Sequence, residues 1–213
     1  MRQRNKPWAD DFIAEHADLI IPAPEKHRGK WKEIFGNDHP IHLEIGTGKG
    51  QFIAGMAEQH PDINFIGMEL AKSVIVTAAE KVLAKEVPNV ILLNNNAKDL
   101  RDFFAENEIS GIYLNFSDPW PKSRHEKRRL TYRTFLEQYE DILIEGGTLV
   151  QKTDNRGLFE YSLVSYNQYG MLLEDVSLDL HVNEDPMNVK TEYEKKFSAK
   201  GQPIYRCQVS FQS

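Results

Sequence analysis

A run of glycines behind a carboxylate is the first feature of this sequence that could bind a ligand. It reads Glu44-Ile-Gly-Thr-Gly-Lys-Gly50 and follows a short apolar segment. Glycines let the backbone approach a ligand closely, and a helix that follows them offers unpaired N–H groups. An acidic residue in front of such a loop suits S-adenosylmethionine, which carries an ammonium, a sulfonium and a carboxylate but no phosphate. Considered alone, Glu44 could instead be a solvated charge at the end of a strand.

Two phosphate ligands compete for the same loop and fit it less well. A P-loop fails because Leu43 replaces its first glycine and Gly50 replaces its hydroxyl residue. A dinucleotide fingerprint matches at Gly46 and Gly48, but Gln51 stands where its third glycine should be. The neighbouring carboxylate would also repel a pyrophosphate. The loop therefore favours the methyl donor.

Two further polar positions follow the next predicted strands. Glu69 comes 19 residues after Gly50, where a ribose diol would be bound. Asn96, within Asn94-Asn-Asn-Ala97, could accept a hydrogen bond from an adenine amino group. The structural alternatives are a carboxylate at a helix start for Glu69 and a turn residue for Asn96.

The most unusual string is Asn115-Phe-Ser-Asp-Pro-Trp-Pro-Lys122. Prolines on both sides of a tryptophan predict a rigid, extended exit from the preceding strand. Asp118 would then be held where the methyl donor ends, although an aspartate before a proline is also a common turn residue. A basic stretch follows, with five positive side chains between Lys122 and Arg129, which favours contacts to phosphates. Arg2 and Arg4 could add to it.

These strings together resemble one family. Phe116-Ser-Asp-Pro-Trp-Pro-Lys122, continued by Arg124-His-Glu-Lys-Arg-Arg129, is similar to the bacterial tRNA (guanine-N7)-methyltransferases, as are Lys152-Thr-Asp-Asn155 and Thr191-Glu-Tyr-Glu194. The resemblance spans nearly the whole chain. It implies a class I methyltransferase fold and methyl transfer to N7 of the variable-loop guanosine, nucleotide 46 of tRNA.

The resemblance also implies roles for individual residues. The residues expected at the S-adenosylmethionine site are Glu44, Gly46, Gly48, Glu69, Asn96, Ala97 and Asp118. Those expected to face the guanosine are Lys122, Asp154, Thr191 and Glu194. Those expected to contact RNA are Arg124, His125, Lys127, Arg128 and Arg129. At position 96 the family pattern leads us to expect an acidic residue, and an amide can still accept a hydrogen bond.

The chemistry makes few demands on the protein. Guanine N7 has an in-plane lone pair, so no proton has to be removed, and the enzyme's tasks are alignment and electrostatic stabilisation. Our hypothesis is that Asp118 acts as the catalytic carboxylate and shares with Asp154 the stabilisation of the cationic methylated base, while Thr191 and Glu194 help to hold it. Asp154 has an alternative as a helix N-cap.

Three other functions are weighed. The first is a methyltransferase that acts on an exocyclic amine, whose motif has adjacent prolines where Trp120 intervenes here. The second is an RNA-binding module without catalysis, which leaves the carboxylates at the strand ends unexplained. The third is a metal enzyme. It is the weakest, because His39 and His42 straddle Pro40 at a strand start, and no metal is expected.

The elements that must position these residues alternate along the chain. Apolar patterns predict strands at 41–45, 64–68, 90–93, 111–116, 148–152, 175–180 and 205–211. They predict helices at 8–19, 51–59, 70–86, 99–105, 132–143 and 158–169. Repeated βα units predict an α/β fold with a doubly wound, mostly parallel seven-stranded sheet, helices on both faces and an antiparallel edge. We expect one domain over 1–213, with 1–40 as an N-terminal arm and short helix.

The amino-acid composition excludes several other classes of protein. The 213 residues carry a net charge of −6, with 40% hydrophobic and 27% charged residues and one cysteine, so disorder, a disulfide framework and a cysteine metal site are excluded. No apolar run could span a membrane and the N-terminus does not read as a secretory signal. We expect a cytoplasmic protein with tRNA as partner; monomer and homodimer both stay open.

Overall fold

The structure, a computed structural model, describes residues 6–182 and 185–212. Its centre is a seven-stranded sheet in the order β3-β2-β1-β4-β5-β7-β6. The strands are β1 Ile41–Ile45, β2 Asn64–Met68, β3 Val90–Leu93, β4 Ile109–Asn115, β5 Leu143–Thr153, β6 Leu172–Ser177 and β7 Tyr205–Ser210. β1 to β5 pair in parallel, whereas β7 runs antiparallel to both β5 and β6. The predicted mostly parallel sheet with an antiparallel strand near one edge is confirmed.

Helices cover both faces of this sheet. They are α1 Ala9–Glu15, α2 Trp31–Phe35, α3 Gln51–Gln59, α4 Lys72–Lys85, α5 Arg133–Ile142, α6 Arg156–Tyr169 and α7 Glu192–Ser198. Short 3-10 helices occur at Pro24–His27, Leu100–Asp102 and Ser123–Arg128. Apolar residues of α3 and α4 pack with Phe65 and Leu92, while those of α5 and α6 pack with Ile66 and Leu149. Adjacent residues of β2 thus point into two separate cores, which is the burial expected of a parallel sheet covered on both sides.

The segment before β1 packs along the outer part of the sheet. Ile21 N–H donates to the carbonyl of Leu92 at 3.0 Å, and Leu92 N–H donates to Leu19 at 2.8 Å. Trp31 is fully buried, and its indole N–H donates to the Phe103 carbonyl at 2.9 Å. The helix predicted over 8–19 is shorter, at Ala9–Glu15. Arg2 and Arg4 lie outside the described residues.

Three sequence predictions of elements are corrected. The helix over 99–105 is reduced to the 3-10 turn Leu100–Asp102, because the Phe103 carbonyl bonds to the Trp31 side chain. Gly146 and Gly147 do not precede β5 but lie inside it, where they form a bulge: Ile109 pairs with Leu143 and Gly111 pairs with Thr148. The strand over 175–180 is shifted to Leu172–Ser177.

The helix α7 was not predicted at all. It has seven residues, too few for an apolar period to be recognised, and it begins where the Thr191 side chain accepts a hydrogen bond from the Glu194 N–H at 2.9 Å. No helix among the described residues is long and apolar enough to cross a membrane.

Candidate active site at the carboxyl ends of the strands

The glycine loop begins at a buried carboxylate. Glu44, in β1, is 3% exposed; its Oε2 accepts a hydrogen bond from the Thr47 hydroxyl at 2.6 Å and its Oε1 accepts one from the Asn115 amide at 2.8 Å. Burial raises the pKa of Glu44 to about 7, although both hydrogen bonds and nearby Lys152 oppose this shift. The carboxyl group is therefore poised to ionise fully when a cation arrives.

The second carboxylate is fixed by backbone groups. Glu69 follows β2 and accepts hydrogen bonds from the Gly48 N–H at 3.1 Å and the Ala71 N–H at 2.9 Å. The Asn94 side chain donates to the carbonyls of Glu69 and Leu70 at 2.9 and 3.1 Å, which ties the end of β3 to the end of β2. Each Glu69 oxygen keeps a second lone pair for a ligand. Glu69 therefore also has the alternative role of a carboxylate at a helix start, because it accepts a hydrogen bond from the Ala71 N–H at the beginning of α4.

A cleft of about 500 Å³ opens along these strand ends and is called here the β2–β4 cleft. The expected donor residues that line it are Gly46, Glu69, Asn96, Ala97 and Asp118. Asn96 and Asp118 are exposed, so their polar groups face open space. Glu44 and Gly48 do not line this cleft but the next one, described below.

The exit from β4 is strained rather than extended. Phe116 and Trp120 have φ angles of +52° and +41°, in the left-handed region that side chains other than glycine rarely adopt. The prediction of a uniformly extended exit is therefore wrong. Arg129 holds the corner, because its guanidinium donates to the carbonyls of Pro119 and Trp120 at 3.1 Å each and lies 4.1 Å from the Tyr161 ring.

The basic stretch forms the surface beside this corner. Lys122 precedes the 3-10 helix Ser123–Arg128, on which Arg124, Lys127 and Arg128 are exposed. The Arg128 guanidinium lies 4.8 Å from the Trp120 ring, and the His125 ring contacts the same tryptophan edge-on. Arg129 differs from its neighbours, since its side chain supports the corner; its contact with RNA stays a prediction.

A buried ion pair joins β5 to α7. Lys152 and Glu194 have side chains 5% and 0% exposed, with Nζ and Oε2 3.2 Å apart. The ammonium also donates to Asn188 Oδ1 at 2.6 Å and to the Val189 carbonyl at 3.1 Å, and the Asn188 amide donates to Glu194 Oε1 at 2.8 Å. In this arrangement the Glu194 carboxylate points into the protein, not towards either cleft. Its expected contact with the guanosine stays a prediction, and its observed contacts hold α7 in place.

A second cleft, of about 350 Å³, lies between the glycine loop and α7 and is called here the α7 cleft. Thr191 and Tyr193 line one wall, and Glu44, Thr47 and Gly48 line the other. It shares Gly46, Asn115 and Phe116 with the β2–β4 cleft, so the two spaces meet at the ends of β1 and β4.

Tyr193 connects this cleft to Asp154. Its ring centroid lies 5.0 Å from that of Phe116, and its hydroxyl donates to Asp154 Oδ2 at 3.4 Å. Asp154 is not the N-cap of α6, because Asn155 takes that role by accepting the Leu158 N–H at 2.8 Å. The N-cap alternative for Asp154 is therefore excluded. Its carboxylate accepts the Tyr193 hydroxyl and lines neither cleft, so its contact with the guanosine stays a prediction.

Sequence reasoning missed the roles of Thr47, Asn94, Asn115, Lys152 and Tyr193, although each lies within or beside a string that it singled out. These five residues do not recur at any distinctive spacing in the sequence, and most of the groups that they contact are distant in sequence. Among the described residues, no group of three or more His, Cys, Asp or Glu side chains could hold a metal ion. His42 instead contacts the Tyr113 hydroxyl at 3.1 Å, and burial lowers its pKa to about 4.

Comparison with solved structures agrees with this fold. An antibiotic-related methyltransferase superposes with a TM-score of 0.64 at 17% identity, covering 92% of this chain and 98% of its own. The 16S rRNA methyltransferase KamB also superposes with a TM-score of 0.64, at 14% identity over 87% of this chain and 94% of its own. At such identities the likeness shows the fold alone, a class I Rossmann-like methyltransferase fold.

Proteins found by sequence comparison are much more similar to this chain than those solved structures are. A family model described as "Putative methyltransferase" matches residues 38–207. The tRNA (guanine-N(7)-)-methyltransferase of Oceanobacillus iheyensis is 60% identical over 212 residues, and that of Bacillus subtilis is 62% identical over 213, each covering 100% of both chains. A relative of the same name from a Geobacillus species is 63% identical over 99% of this chain and 96% of its own. Because these relatives are 60–63% identical over nearly the whole length of both chains, this chain belongs to the tRNA (guanine-N(7)-)-methyltransferase family.

Proposed function

We propose that this protein transfers the methyl group of S-adenosylmethionine to N7 of a guanosine in tRNA, at nucleotide 46 of the variable loop. The observation that carries the proposal is the meeting of the two clefts at Gly46, Asn115 and Phe116. A donor whose adenosine lies in the β2–β4 cleft, and whose amino-acid end reaches Glu44 past the junction, can then meet a base in the α7 cleft at the ends of β1 and β4. The names of the full-length relatives support this choice of base and atom.

The residues present fit the methyl donor, which supplies an electrophilic methyl group on a sulfonium. Glu44 offers a buried negative charge for its ammonium, and a second polar atom beside it, Asn115 Oδ1, has no hydrogen-bond partner among the described residues. Glu69 has lone pairs for the ribose hydroxyls, and Asn96 and Ala97 lie where the adenine would be held. A pyrophosphate would be repelled by the same carboxylates.

The base would be held by the opposite wall. Thr191 accepts the Glu194 N–H with its hydroxyl oxygen, so its O–H is left to donate to the base. Tyr193 offers an aromatic face beside Phe116, and Asp154 lies behind its hydroxyl. Asp118, exposed in the β2–β4 cleft, and Asp154 would stabilise the positive charge that develops on the guanine ring. Lys122 would reach the guanosine from the start of the basic surface.

The experiment is transfer of a labelled methyl group to tRNA that lacks modification, followed by identification of the nucleoside. We expect N7-methylguanosine, and none when guanosine 46 is replaced by adenosine. A methylated exocyclic amine would instead indicate a methyltransferase that acts on exocyclic amines. Normal tRNA binding without any transfer would favour an RNA-binding module.

The basic surface would bind tRNA phosphates in the cytoplasm, where this substrate resides. If about five cations engage RNA, log Kobs against log salt should have a slope between roughly −3 and −5. Arg124→Ala should reduce the slope by about 1, because it removes one exposed cation. Lys32→Ala, an exposed change in α2, is the matched control and should leave the slope unchanged. A slope near zero for the wild type would show that this surface does not bind RNA.

A further inference from the structure

Asn115 carries a buried acceptor that no residue described by the structure uses. It is the last residue of β4 and is 7% exposed. Its amide nitrogen donates to Glu44 Oε1 at 2.8 Å, but its Oδ1 accepts no hydrogen bond from any residue that the structure describes. Buried amide oxygens are almost always paired, so a group left unpaired in a cleft wall points to a ligand.

The direction of this oxygen is set by its neighbours. Glu44 accepts from the Thr47 hydroxyl on one oxygen and from the Asn115 amide on the other, so a flipped amide would place two oxygens against each other. The Asn115 Oδ1 must therefore point away from Glu44. Asn115 lines both the β2–β4 cleft and the α7 cleft, so it stands at their junction.

A cationic donor group suits this position best. A lone acceptor beside a buried carboxylate attracts an N–H group that carries positive charge and repels a ligand carboxylate. Because burial raises the pKa of Glu44, a second carboxylate at position 115 would further oppose its ionisation. An amide instead adds an acceptor without adding a charge.

We propose that Asn115 is a binding residue for the amino-acid end of the methyl donor: its Oδ1 accepts a hydrogen bond from the α-ammonium, while Glu44 supplies the negative charge. This rests on the proposed function. It assigns Asn115 two tasks at once, since its nitrogen orients the Glu44 carboxylate and its oxygen contacts the ligand.

The test compares two ligands by calorimetry. S-adenosylhomocysteine has the ammonium and is not consumed, and its deamino analogue lacks only that amino group. Asn115→Leu should weaken binding of S-adenosylhomocysteine by about tenfold or more, since a hydrogen bond to a charged group is lost. It should leave binding of the deamino analogue nearly unchanged.

Thr47→Val is the matched control, because it also removes one hydrogen bond to Glu44 but leaves Asn115 Oδ1 in place. It should weaken S-adenosylhomocysteine binding clearly less than Asn115→Leu does. Equal losses for the two variants, or equal losses for the two ligands, would overturn the proposal and leave Asn115 as a support for Glu44. Unchanged S-adenosylhomocysteine affinity with a raised KM for tRNA would instead assign Asn115 to the base.

One further comparison, made on the wild-type protein with the same two ligands, keeps the result unambiguous. The wild-type protein should itself bind the deamino analogue at least about tenfold more weakly than S-adenosylhomocysteine, which needs no variant to fold. If the wild type binds neither ligand, the proposed donor fails, and that outcome differs from an intact donor site that ignores Asn115.

Discussion

The two halves of the site are built in different ways. On the side of β1, β2 and β3, Glu69 and Asn94 are fixed by bonds between consecutive strand–loop units, 21 and 25 positions apart. Glu44 is fixed by Thr47 three positions away, and by Asn115 from the neighbouring strand β4. On the other side, α7 is held by a buried Lys152–Glu194 pair that joins positions 42 apart in sequence. The first half belongs to the strand–loop–helix pattern itself. The second is assembled from segments that the sheet topology brings together, so it depends on a few side chains.

The largest expected effect is on the stability of the second half. Lys152→Met removes the ammonium that faces the fully buried Glu194 carboxylate, which should lower the free energy of unfolding by about 3–5 kcal/mol in urea titrations. The double variant Lys152→Met/Glu194→Gln should recover much of this loss. Arg133→Met, which breaks an exposed pair with Glu137, should change stability by no more than about 0.5 kcal/mol. An equally small effect at Lys152 would refute the view that this pair supports α7.

The next effect separates chemistry from donor binding. Asp118→Asn should lower kcat by about 10²–10³-fold, because it removes negative charge where the base becomes cationic. Donor affinity, measured by calorimetry, should change far less. Asp62→Asn, in the turn between α3 and β2, is the control and should alter neither quantity. Near-normal turnover of Asp118→Asn would remove Asp118 from the mechanism.

A third prediction concerns pH and the first half of the site. The folded-state pKa of Glu44 is about 7, above its ordinary value of 4.5, so the folded protein binds this proton more tightly than the unfolded chain. Stability should therefore fall as the pH rises from about 4.5 to about 7, and Glu44→Gln should gain up to roughly 3 kcal/mol at pH 8.

The same variant should bind the donor more weakly, because an amide cannot supply charge to an ammonium. Urea titrations at pH 5 and pH 8 measure the stability effect, and the gain at pH 5 should be small. A Glu44→Gln protein that is less stable than the wild type at pH 8 would contradict the raised pKa.

The smallest effect distinguishes two neighbours on the second half. Asn155→Ala removes the N-cap of α6 and should cost about 1 kcal/mol of unfolding free energy. Asp154→Ala should leave stability within about 0.5 kcal/mol but lower kcat/KM for tRNA. The two variants are matched in position and size of change. If Asp154→Ala lost stability and kept activity, the carboxylate would be structural.

The same contrast explains what could be predicted from the sequence. β1, α3, β2 and β3 have the predicted bounds, because an apolar run followed by glycines or an amphipathic helix is a local pattern. Glu44 and Glu69 were therefore placed at strand ends without any structure. Tyr193 and Lys152 could not be assigned, since their partners Phe116, Asp154 and Glu194 are far away in sequence. The left-handed backbone at Phe116 and Trp120 cannot be predicted from the Pro-Trp-Pro string, because groups outside it hold both residues. The Lys152 carbonyl accepts the Phe116 N–H, and the Arg129 guanidinium donates to the Trp120 carbonyl.

The central claim is that the two halves act on one reaction across the junction at Asn115 and Phe116. A crystal structure of the complex with S-adenosylhomocysteine tests it most directly. We predict the ligand along the ends of β1, β2 and β3, with its amino-acid end at Glu44 and its sulfur at the junction of the two clefts beside Asn115 and Phe116. A crystal structure in which these strand ends hold no ligand, or in which the ligand is bound elsewhere on the protein, would contradict this claim.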